Sequence, residues 1–367
     1  MGTSLDDLER IRTIDRSGML KVQMSMPEAC VNALKLAEKF LERENVLDYL
    51  EEAPSSLVFT GMGGSAIGGE IIQDWLLDSS PIPIHVSRGY RLPASIDKKS
   101  LVFAVSYSGD TEETLSSFLD ALSRGCRVIA LTSGGSLKEM SSKHRVPCLT
   151  VPVGLAPRAS LPYLFFPLVL TLSRLAVAWG LDPKLKSLKE ELEEVPKILE
   201  RLRDEVAPEI PQMDNPAKRL ALDLLHTIPV IYASSEYGGV ARRMKTQFNE
   251  NSKVPAYTAV FPEAFHNEVM GYEGSKELFR SLSVILLRGR DEDQRSRVKM
   301  EAMKGLIEGK VRILREVWAK GETRLAKIFS TLYLGDVTSV YLAVLYGVDP
   351  TPVESISKIK QASTTYL

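Results

Sequence analysis

Short apolar stretches recur along the chain and alternate with longer amphipathic stretches that have the period of a helix. The apolar stretches form two series, at residues 57–60, 82–86, 101–105 and 128–131, and at residues 230–233, 256–260, 283–287 and 311–314. Short apolar strands separated by helices are typical of parallel sheets whose two faces are covered. The pattern therefore predicts an α/β protein with two doubly wound parallel-sheet domains of similar topology and with flanking helices.

Polar and strongly charged stretches separate these series from each other and from the two ends of the chain. They predict an N-terminal helical segment at residues 1–52, a first sheet domain at 53–180, a charged connecting helix at 181–215, a second sheet domain at 216–348 and a C-terminal helix and tail at 349–367. The last boundary rests on two closely spaced prolines after residue 348, because proline breaks a helix.

Two serine-bearing loops in the first predicted domain each join an apolar strand to an amphipathic helix. Residues 61–65 read Gly-Met-Gly-Gly-Ser, and residues 106–111 read Ser-Tyr-Ser-Gly-Asp-Thr. Unpaired backbone N–H groups and the helix dipole favour an anion where a helix begins. Hydroxyl and amide donors can hold a phosphate without Mg²⁺. The two loops therefore predict a site for a phosphorylated small molecule whose phosphate is a handle and not the reacting group.

The first loop also fits the dinucleotide fingerprint G-x-G-x-x-A through Gly61, Gly63 and Ala66. That fingerprint calls for an acidic residue about 20 positions further on, at the end of the next strand. Ser87 and Arg88 stand there instead. The sequence thus disfavours NAD and leaves NADP open, and a third interpretation is that the glycines only permit a tight turn and close helix packing.

The second loop has an alternative interpretation as a helix cap. Asp110 can serve as the N-cap with Glu113 three residues later, and Ser106 and Ser108 are then incidental turn formers. A cap stabilises a helix by roughly 1 kcal/mol whether or not a ligand binds. Capping and phosphate binding are therefore compatible.

The net charge argues against large anionic partners, because 46 basic residues nearly balance 47 acidic ones. We therefore expect no nucleic acid and no membrane among the partners. No uninterrupted apolar stretch reaches the roughly 18 residues needed to span a bilayer. The polar, acidic N-terminus also lacks the apolar segment of a signal peptide. These features predict a cytoplasmic protein with a small-molecule ligand.

Cysteine and histidine are sparse and scattered. The three cysteines form no C-x-x-C pair, and their odd number argues against a disulfide framework, as expected in a reducing compartment. The four histidines form neither H-x-H nor H-E-x-x-H. The sequence therefore predicts no metal site.

Six motifs occur together in an order that makes a family resemblance specific. They are Gly61-Met62-Gly63-Gly64-Ser65, Ser106-Tyr107-Ser108-Gly109-Asp110-Thr111-Glu112-Glu113-Thr114, Arg158-Ala159-Ser160-Leu161, Asn249-Glu250-Asn251, Pro262-Glu263-Ala264-Phe265-His266-Asn267-Glu268 and Asp349-Pro350-Thr351-Pro352-Val353. In this combination, most of the chain resembles the bifunctional phosphoglucose/phosphomannose isomerases of archaea. These are members of the phosphoglucose isomerase superfamily and are built from two sugar isomerase domains.

The resemblance implies an aldose–ketose isomerase that needs no cofactor and acts on glucose 6-phosphate, mannose 6-phosphate and fructose 6-phosphate. It implies that the phosphate binds to Ser106, Ser108 and Thr111, and that the sugar lies near Gly64 and Ser65. It also implies that the C-terminal segment completes the active site.

The resemblance further implies the catalytic residues. Glu250 matches the family's base, Arg158 the cation beside the developing negative charge, His266 the ring-opening histidine and Lys360 the lysine of the last helix, with Lys358 as the neighbouring alternative. A homodimer is implied as well, in which the histidine reaches the site of the neighbouring subunit.

Each of these residues also has an interpretation without function. Glu250 can be an ordinary charge near the end of a helix, Arg158 a surface charge in a loop, His266 a structural residue beside Phe265, and the terminal lysines a solvated face. Two other functions stay open at this point. One is a sugar-phosphate-sensing module that keeps the serine loops, and the other is an NADP-dependent dehydrogenase that uses the first loop and Arg88.

Overall fold

The computed structural model describes residues 4–43, 46, 50, 52–180 and 188–364, so residues 181–187 of the predicted connecting helix lie outside the described residues. Within that part of the chain the strands form two sheets, and every strand pair is parallel. The strands are β1 (Leu57–Thr60), β2 (Ile84–Ser87), β3 (Leu101–Ser106), β4 (Arg127–Thr132), β5 (Cys148–Thr150), β6 (Ile228–Ser234), β7 (Tyr257–Phe261), β8 (Leu282–Arg288) and β9 (Ile313–Trp318).

Helices precede, connect and follow the strands. In chain order they are α1 (Leu8–Ile14), α2 (Met19–Met24), α3 (Met26–Arg43), α4 (Gly64–Trp75), α5 (Glu112–Ser123), α6 (Gly135–Lys143), α7 (Leu161–Ala178), α8 (Leu188–Val206), α9 (Pro216–Leu224), α10 (Gly238–Glu250), α11 (Lys276–Phe279), α12 (Gln294–Ile307), α13 (Arg324–Tyr346) and α14 (Glu354–Thr364). Short 3₁₀ helices lie at Pro157–Ala159, Ser235–Tyr237, Glu263–Phe265 and Glu268–Glu273.

The first sheet has the strand order β2-β1-β3-β4-β5. The order reverses between β1 and β3, and in doubly wound sheets ligands bind outside the carboxyl ends of the strands at such a point. Both serine loops leave the sheet there, because one follows β1 and the other follows β3. A Cβ on Gly61 would lie 2.8 Å from the carbonyl oxygen of Val105, so the two strand ends are close enough to require glycine.

The second sheet has the order β7-β6-β8-β9, which repeats the first four positions of the first sheet with β6 in the place of β1. The structure thus confirms the predicted fold class of two doubly wound parallel sheets with flanking helices. It adds β5, which the sequence pattern did not reveal because this edge strand has only three residues.

One continuous apolar core joins the two sheets, and α13 lies at its centre. This helix packs on α8, α9 and α10, so its side chains are covered on several sides. Gly347 ends α13 in the left-handed conformation, with φ 69°, and the chain then turns back as residues 349–353, the segment that we call the C-terminal strap. The outer face of each sheet carries a separate, smaller core.

Two helices, α7 and α13, are long and apolar enough to cross a bilayer. In the structure, 72% of the apolar window in α7 and 94% of that in α13 is buried inside the protein. Burial between the two sheets therefore accounts for their apolar composition. The helix α8 lies within residues 181–215, where a connecting helix was predicted, and it buries an apolar side against α3 and α13.

An aspartate links the two sheet domains where α4 packs on α10. Gly239, in the first turn of α10, donates its backbone N–H to Oδ2 of Asp74 at 2.5 Å. The carboxylate thus occupies the anion-favouring N-terminus of α10. Burial raises the pKa of Asp74 to about 7, although the hydrogen bond from Gly239 acts in the opposite direction.

This raised pKa predicts a pH-dependent stability. The folded protein takes up a proton at Asp74 as the pH falls through about 7, whereas an unfolded aspartate takes one up only near pH 4. Protonation of Asp74 therefore stabilises the fold fully below about pH 4, and this stabilisation is lost as the pH rises through 7. In urea unfolding, we expect lowering the pH from about 8 to about 5 to stabilise the wild type relative to Asp74→Asn by roughly 1–3 kcal/mol.

The exposed carboxylate of Asp78 provides the matched control. Its side chain is 68% exposed, so the wild type and Asp78→Asn should show nearly the same dependence of unfolding free energy on pH. If the curves of the wild type and Asp74→Asn run parallel between these pH values, Asp74 is not the titrating group.

Candidate active site

The two serine loops contact each other directly. Ser65 lies in the first turn of α4, and its Oγ accepts a hydrogen bond from the backbone N–H of Tyr107 at 3.2 Å. The chain enters α4 through Gly63, whose φ of 50° belongs to the left-handed region. The hydrogen bond fixes the start of α4 beside the second loop, so donors from both loops face one region.

The second loop is organised by hydroxyl groups. Ser106 is buried, donates its Oγ hydrogen to Thr111 Oγ1 at 3.0 Å and accepts from the backbone N–H of Gly109 at 3.1 Å. Ser108 is exposed, and its Oγ accepts from the backbone N–H of Asp110 at 3.3 Å. The loop therefore places three hydroxyl groups at the N-terminus of α5, as a phosphate site requires.

The alternative in which Asp110 caps α5 is wrong. The N-cap position belongs to Thr111, and no side-chain cap bond forms there. Oδ1 of Asp110 instead accepts from the backbone N–H and the hydroxyl of Ser136, at 2.9 and 2.8 Å, at the start of α6. Asp110 therefore ties the second loop to the loop after β4.

Arg158 is buried, which contradicts the interpretation of this residue as a surface charge. It lies in the 3₁₀ helix that precedes α7. Its Nε donates to Oδ1 of Asn251 at 2.5 Å, and its Nη2 donates to the carbonyl oxygens of Pro350 and Thr351 at 2.7 and 2.9 Å. The guanidinium thus joins the first domain to the end of α10 and to the C-terminal strap.

Glu250 lies at the C-terminal end of α10 and faces this guanidinium. Its Oε2 is 3.5 Å from Nη1 of Arg158, and its side chain is 26% exposed. Lys253 follows with a φ of 58° and donates through Nζ to the carbonyl oxygens of Pro350 and Pro352, at 3.1 and 2.8 Å. The base candidate therefore lies between two cations that both hold the C-terminal strap.

Burial is the main influence on the pKa values of these two cations. Burial lowers the pKa of Arg158, whereas the Glu250 carboxylate acts in the opposite direction. Burial also lowers the pKa of Lys253, and the nearby Arg158 charge lowers it further. A guanidinium keeps its charge at any working pH. The carboxylate thus faces a permanent, poorly solvated positive charge.

Gly64 connects the serine loops to Arg158. A Cβ at Gly64 would lie 2.9 Å from the carbonyl oxygen of Pro157 and 3.3 Å from Cα of Arg158. Since real Cβ atoms rarely approach backbone so closely, only glycine allows this contact. The contacts from Ser65 to Tyr107, from Gly64 to Arg158 and from Arg158 to Glu250 therefore form one continuous site.

A cavity of about 720 Å³ opens beside Glu250. It is bounded by the end of α10, by the strap and by the first residues of α14, and Lys253 and Asp349 lie in its wall. Its lining includes neither Arg158 nor the serine loops, so it reaches Glu250 from the side of the strap. The carboxylate of Glu250 is thus accessible from solvent.

The remaining predicted residues lie on exposed segments. His266 follows the 3₁₀ helix Glu263–Phe265, and Lys358 and Lys360 both lie on α14. Within the described part of the chain, no hydrogen bond or ion pair joins the side chain of His266 to Arg158 or Glu250. The structure therefore brings together Arg158, Glu250 and the serine loops, and it does not bring His266 to them in one chain.

The residues proposed for NADP are engaged elsewhere. Arg88 forms an ion pair with Glu70 at 2.6 Å, and Arg242 pairs with the same carboxylate at 3.0 Å. Arg88 is exposed, and its guanidinium pairs with a carboxylate of its own chain. Among the described residues, no group of three or more His, Cys, Asp or Glu side chains is placed to hold a metal ion.

Comparisons with known proteins show the family of the chain. The family model of the SIS domain matches residues 49–148, and the model of the bacterial phospho-glucose isomerase C-terminal SIS domain matches residues 213–362. A protein of Caldicellulosiruptor bescii, named bifunctional phosphoglucose/phosphomannose isomerase, is 43% identical over 305 residues, which cover 83% of this chain and 88% of that protein. The chain belongs to this isomerase family.

Further similarities support the family and the fold. A protein of Aquifex aeolicus with the same name is 35% identical over 308 residues, which cover 83% of this chain and 89% of that protein. The crystal structure of a glucose-6-phosphate isomerase like protein from Thermus thermophilus superposes with a TM-score of 0.61 at 23% identity, over 95% of this chain and 98% of that one. The family predicted from the six motifs is confirmed.

Sequence reasoning missed the residues that hold and orient Arg158. These are Asn251 and Arg243, which bond to it, and Asp336 and Ser339, which bond to those two. It also missed Lys253, which binds the C-terminal strap. Asn251 and Lys253 lie next to Glu250 in the chain, so their proximity to the base was a usable signal. Asp336 and Ser339 offered a different signal, because they are polar residues within a mostly apolar helix.

The close contact at Gly64 leads to a prediction. In Gly64→Ala, the new Cβ must displace the backbone of Pro157 and Arg158, so we expect a loss of roughly 1–3 kcal/mol of unfolding free energy. Gly305→Ala is the control, because Gly305 lies in α12 and no atom is within 4 Å of its Cβ position. This control should gain about 0.5–1 kcal/mol from helix propensity. Equal stability of both variants in urea unfolding would contradict the close contact.

Proposed function

We propose that this protein interconverts glucose 6-phosphate and mannose 6-phosphate with fructose 6-phosphate. The observation that carries the proposal is the contact at 3.5 Å between Arg158 and Glu250, next to loops rich in hydroxyl groups. The names of the relatives from C. bescii and A. aeolicus support the same substrates. No cofactor is needed, because the aldose is oxidised at C2 as it is reduced at C1.

The phosphate group binds to the second loop in this proposal. Ser106, Ser108 and Thr111 offer hydroxyl groups at the N-terminus of α5, where the helix dipole adds to the attraction. Gly64 and Ser65 lie at the start of the neighbouring helix, α4, and border the sugar. Anchoring by the phosphate places the other end of the hexose towards Arg158.

Proton transfer between C1 and C2 is the chemical step, and Glu250 is the base. One carboxylate reaches both carbons across a cis-enediol, so the group that removes the proton can also return it. Arg158 stabilises the negative charge that develops on the enediolate oxygens, because its guanidinium stays charged and is directed at this region. The two aldoses differ only at C2, so rotation about C2–C3 lets one intermediate serve both.

Ring opening requires proton movement at O5 and O1, and we assign it to His266 with the help of Lys360, or of Lys358 as the alternative lysine on α14. His266 is exposed on its own chain, so it is accessible to a second chain. We infer a homodimer in which His266 completes the partner's site. The protein acts in the cytoplasm in this account, where these sugar phosphates occur.

Replacing the base gives the first test of the function. In Glu250→Gln, we expect kcat for both aldose phosphates to fall by about 10²- to 10⁴-fold in a coupled assay with a chelator present, because the amide cannot accept the proton. Binding of sorbitol 6-phosphate should change little, since the phosphate contacts are intact. Glu308→Gln, an exposed carboxylate at the C-terminal end of α12, is the control and should keep full activity.

Other outcomes would favour the alternatives. A wild-type protein that binds both sugar phosphates but turns over neither is a sensing module. A change in nicotinamide absorbance with purified protein and NADP alone would favour a dehydrogenase. Loss of wild-type turnover on chelation would contradict the metal-independent mechanism.

Mixed dimers test the sharing of active sites. Glu250→Gln and His266→Ala chains are each expected to be nearly inactive alone. After mixing and subunit exchange, about half of the chains should reside in mixed dimers, each with one intact site. Activity should therefore reappear in dimers whose mixed composition is verified by two affinity tags. Verified mixed dimers without activity would show that His266 acts within its own subunit.

A further inference from the structure

A closed circuit of hydrogen bonds holds Arg158 at both its side chain and its backbone. On the side-chain end, Nε donates to Oδ1 of Asn251 at 2.5 Å. On the backbone end, the carbonyl oxygen of Arg158 accepts from Nη2 of Arg243 at 2.9 Å. Both partners are buried. The guanidinium and its backbone are thus fixed by two different residues of α10 and its C-terminal end.

The circuit closes through the central helix α13. Asn251 donates from Nδ2 to Oγ of Ser339 at 2.8 Å, and this hydroxyl donates to the carbonyl oxygen of Asp336 at 2.6 Å. The Asp336 carboxylate pairs with Arg243 at 2.5 Å and returns the circuit to Arg158. All five residues are buried, so breaking any link leaves a polar group unsatisfied away from water.

The circuit determines the orientation of the Asn251 amide. A serine hydroxyl has one hydrogen, and that of Ser339 is donated to the carbonyl oxygen of Asp336. Ser339 can therefore only accept from Asn251, which places Nδ2 on this side. Oδ1 must then face Arg158, as observed.

The orientation of the Asn251 amide fixes the guanidinium of Arg158 through its N–H donors. A guanidinium has five N–H groups. Nε uses its hydrogen on Asn251, and Nη2 donates to the carbonyl oxygens of Pro350 and Thr351. Nη1 is the nitrogen that faces Glu250. Turning the planar group would break the bonds of Nε and Nη2 together.

We propose that Asn251 is a positioning residue that directs Nη1 of Arg158 at the enediolate oxygens. The inference rests on the proposed function. Asn251 is buried behind the guanidinium and acts through Arg158. Loss of Asn251 should therefore weaken binding of the charged intermediate. Binding of a ligand that is uncharged at C1 and C2 should stay almost unchanged.

Two inhibitors separate this role from a purely structural one. In its ionised form, arabinonohydroxamic acid 5-phosphate carries a planar negative charge where the enediolate does, whereas sorbitol 6-phosphate has no charge at C1 or C2. For Asn251→Ala, we expect Ki for the hydroxamate to rise about 10- to 100-fold and kcat to fall by a similar factor. Ki for sorbitol 6-phosphate should stay within about 3-fold of the wild type. A Ki does not depend on the fraction of folded protein.

Asn215→Ala is the control for the loss of a buried asparagine. Asn215 caps α9 through bonds to the backbone of Ala217 and Lys218, and it is fully buried. This variant should lose stability and keep the wild-type ratio of the two Ki values. If Asn251→Ala does not fold, Ser339→Ala is tested in its place, because this variant lacks the hydroxyl that orients the Asn251 amide. In Ser339→Ala, the ratio of Ki for the hydroxamate to Ki for sorbitol 6-phosphate should rise by about 3- to 10-fold.

The results separate the inference from the proposed function. An unchanged ratio of Ki values in Asn251→Ala, or in Ser339→Ala where it replaces that variant, would overturn the positioning role while wild-type turnover upholds the function. A folded wild type that neither turns over the sugar phosphates nor binds the hydroxamate more tightly than sorbitol 6-phosphate would overturn the function itself, and the inference with it.

Discussion

Arg158 is a buried positive charge, and the rest of the site follows from how that charge is accommodated. Moving a charge out of water is costly unless hydrogen bonds replace the lost solvent. Here the replacements come from the end of α10, from the C-terminal strap and from the carboxylate of Glu250. Because these parts are far apart in the chain, satisfying one guanidinium forces both domains and the C-terminal segment to meet at one place.

The two sheets share a topology but differ in what they place at their switch points. After β3 the chain presents hydroxyl groups, whereas after β8 Arg288 is enclosed by the carboxylates of Glu292, Glu301 and Glu316. The start of α10 is likewise occupied by Asp74. The second domain therefore uses its anion-favouring positions for internal carboxylates, and it contributes to the site through the end of α10 instead.

The alternation of apolar and amphipathic stretches was enough to predict both sheets and the positions of the serine loops. A buried strand can be predicted in this way because it is a short run of consecutive apolar residues. The environment of Arg158 could not be predicted in this way. Its partner Asn251 is 93 residues away, and Pro350 is 192 residues away. The alternative in which Asp110 caps α5 failed for the same reason, since Ser136 at the start of α6 binds that carboxylate. The family motifs implied Arg158 and Glu250 as site residues, but the residues that orient Arg158 became visible only in the fold.

The most direct measurement is a crystal structure of the protein with sorbitol 6-phosphate. The account predicts phosphate oxygens within hydrogen-bond distance of the hydroxyl groups of Ser106, Ser108 and Thr111. It also predicts C1 and C2 within reach of the Glu250 carboxylate, with O1 and O2 facing Nη1 of Arg158. A phosphate bound elsewhere, or C1 and C2 out of reach of Glu250 in every subunit, would contradict it.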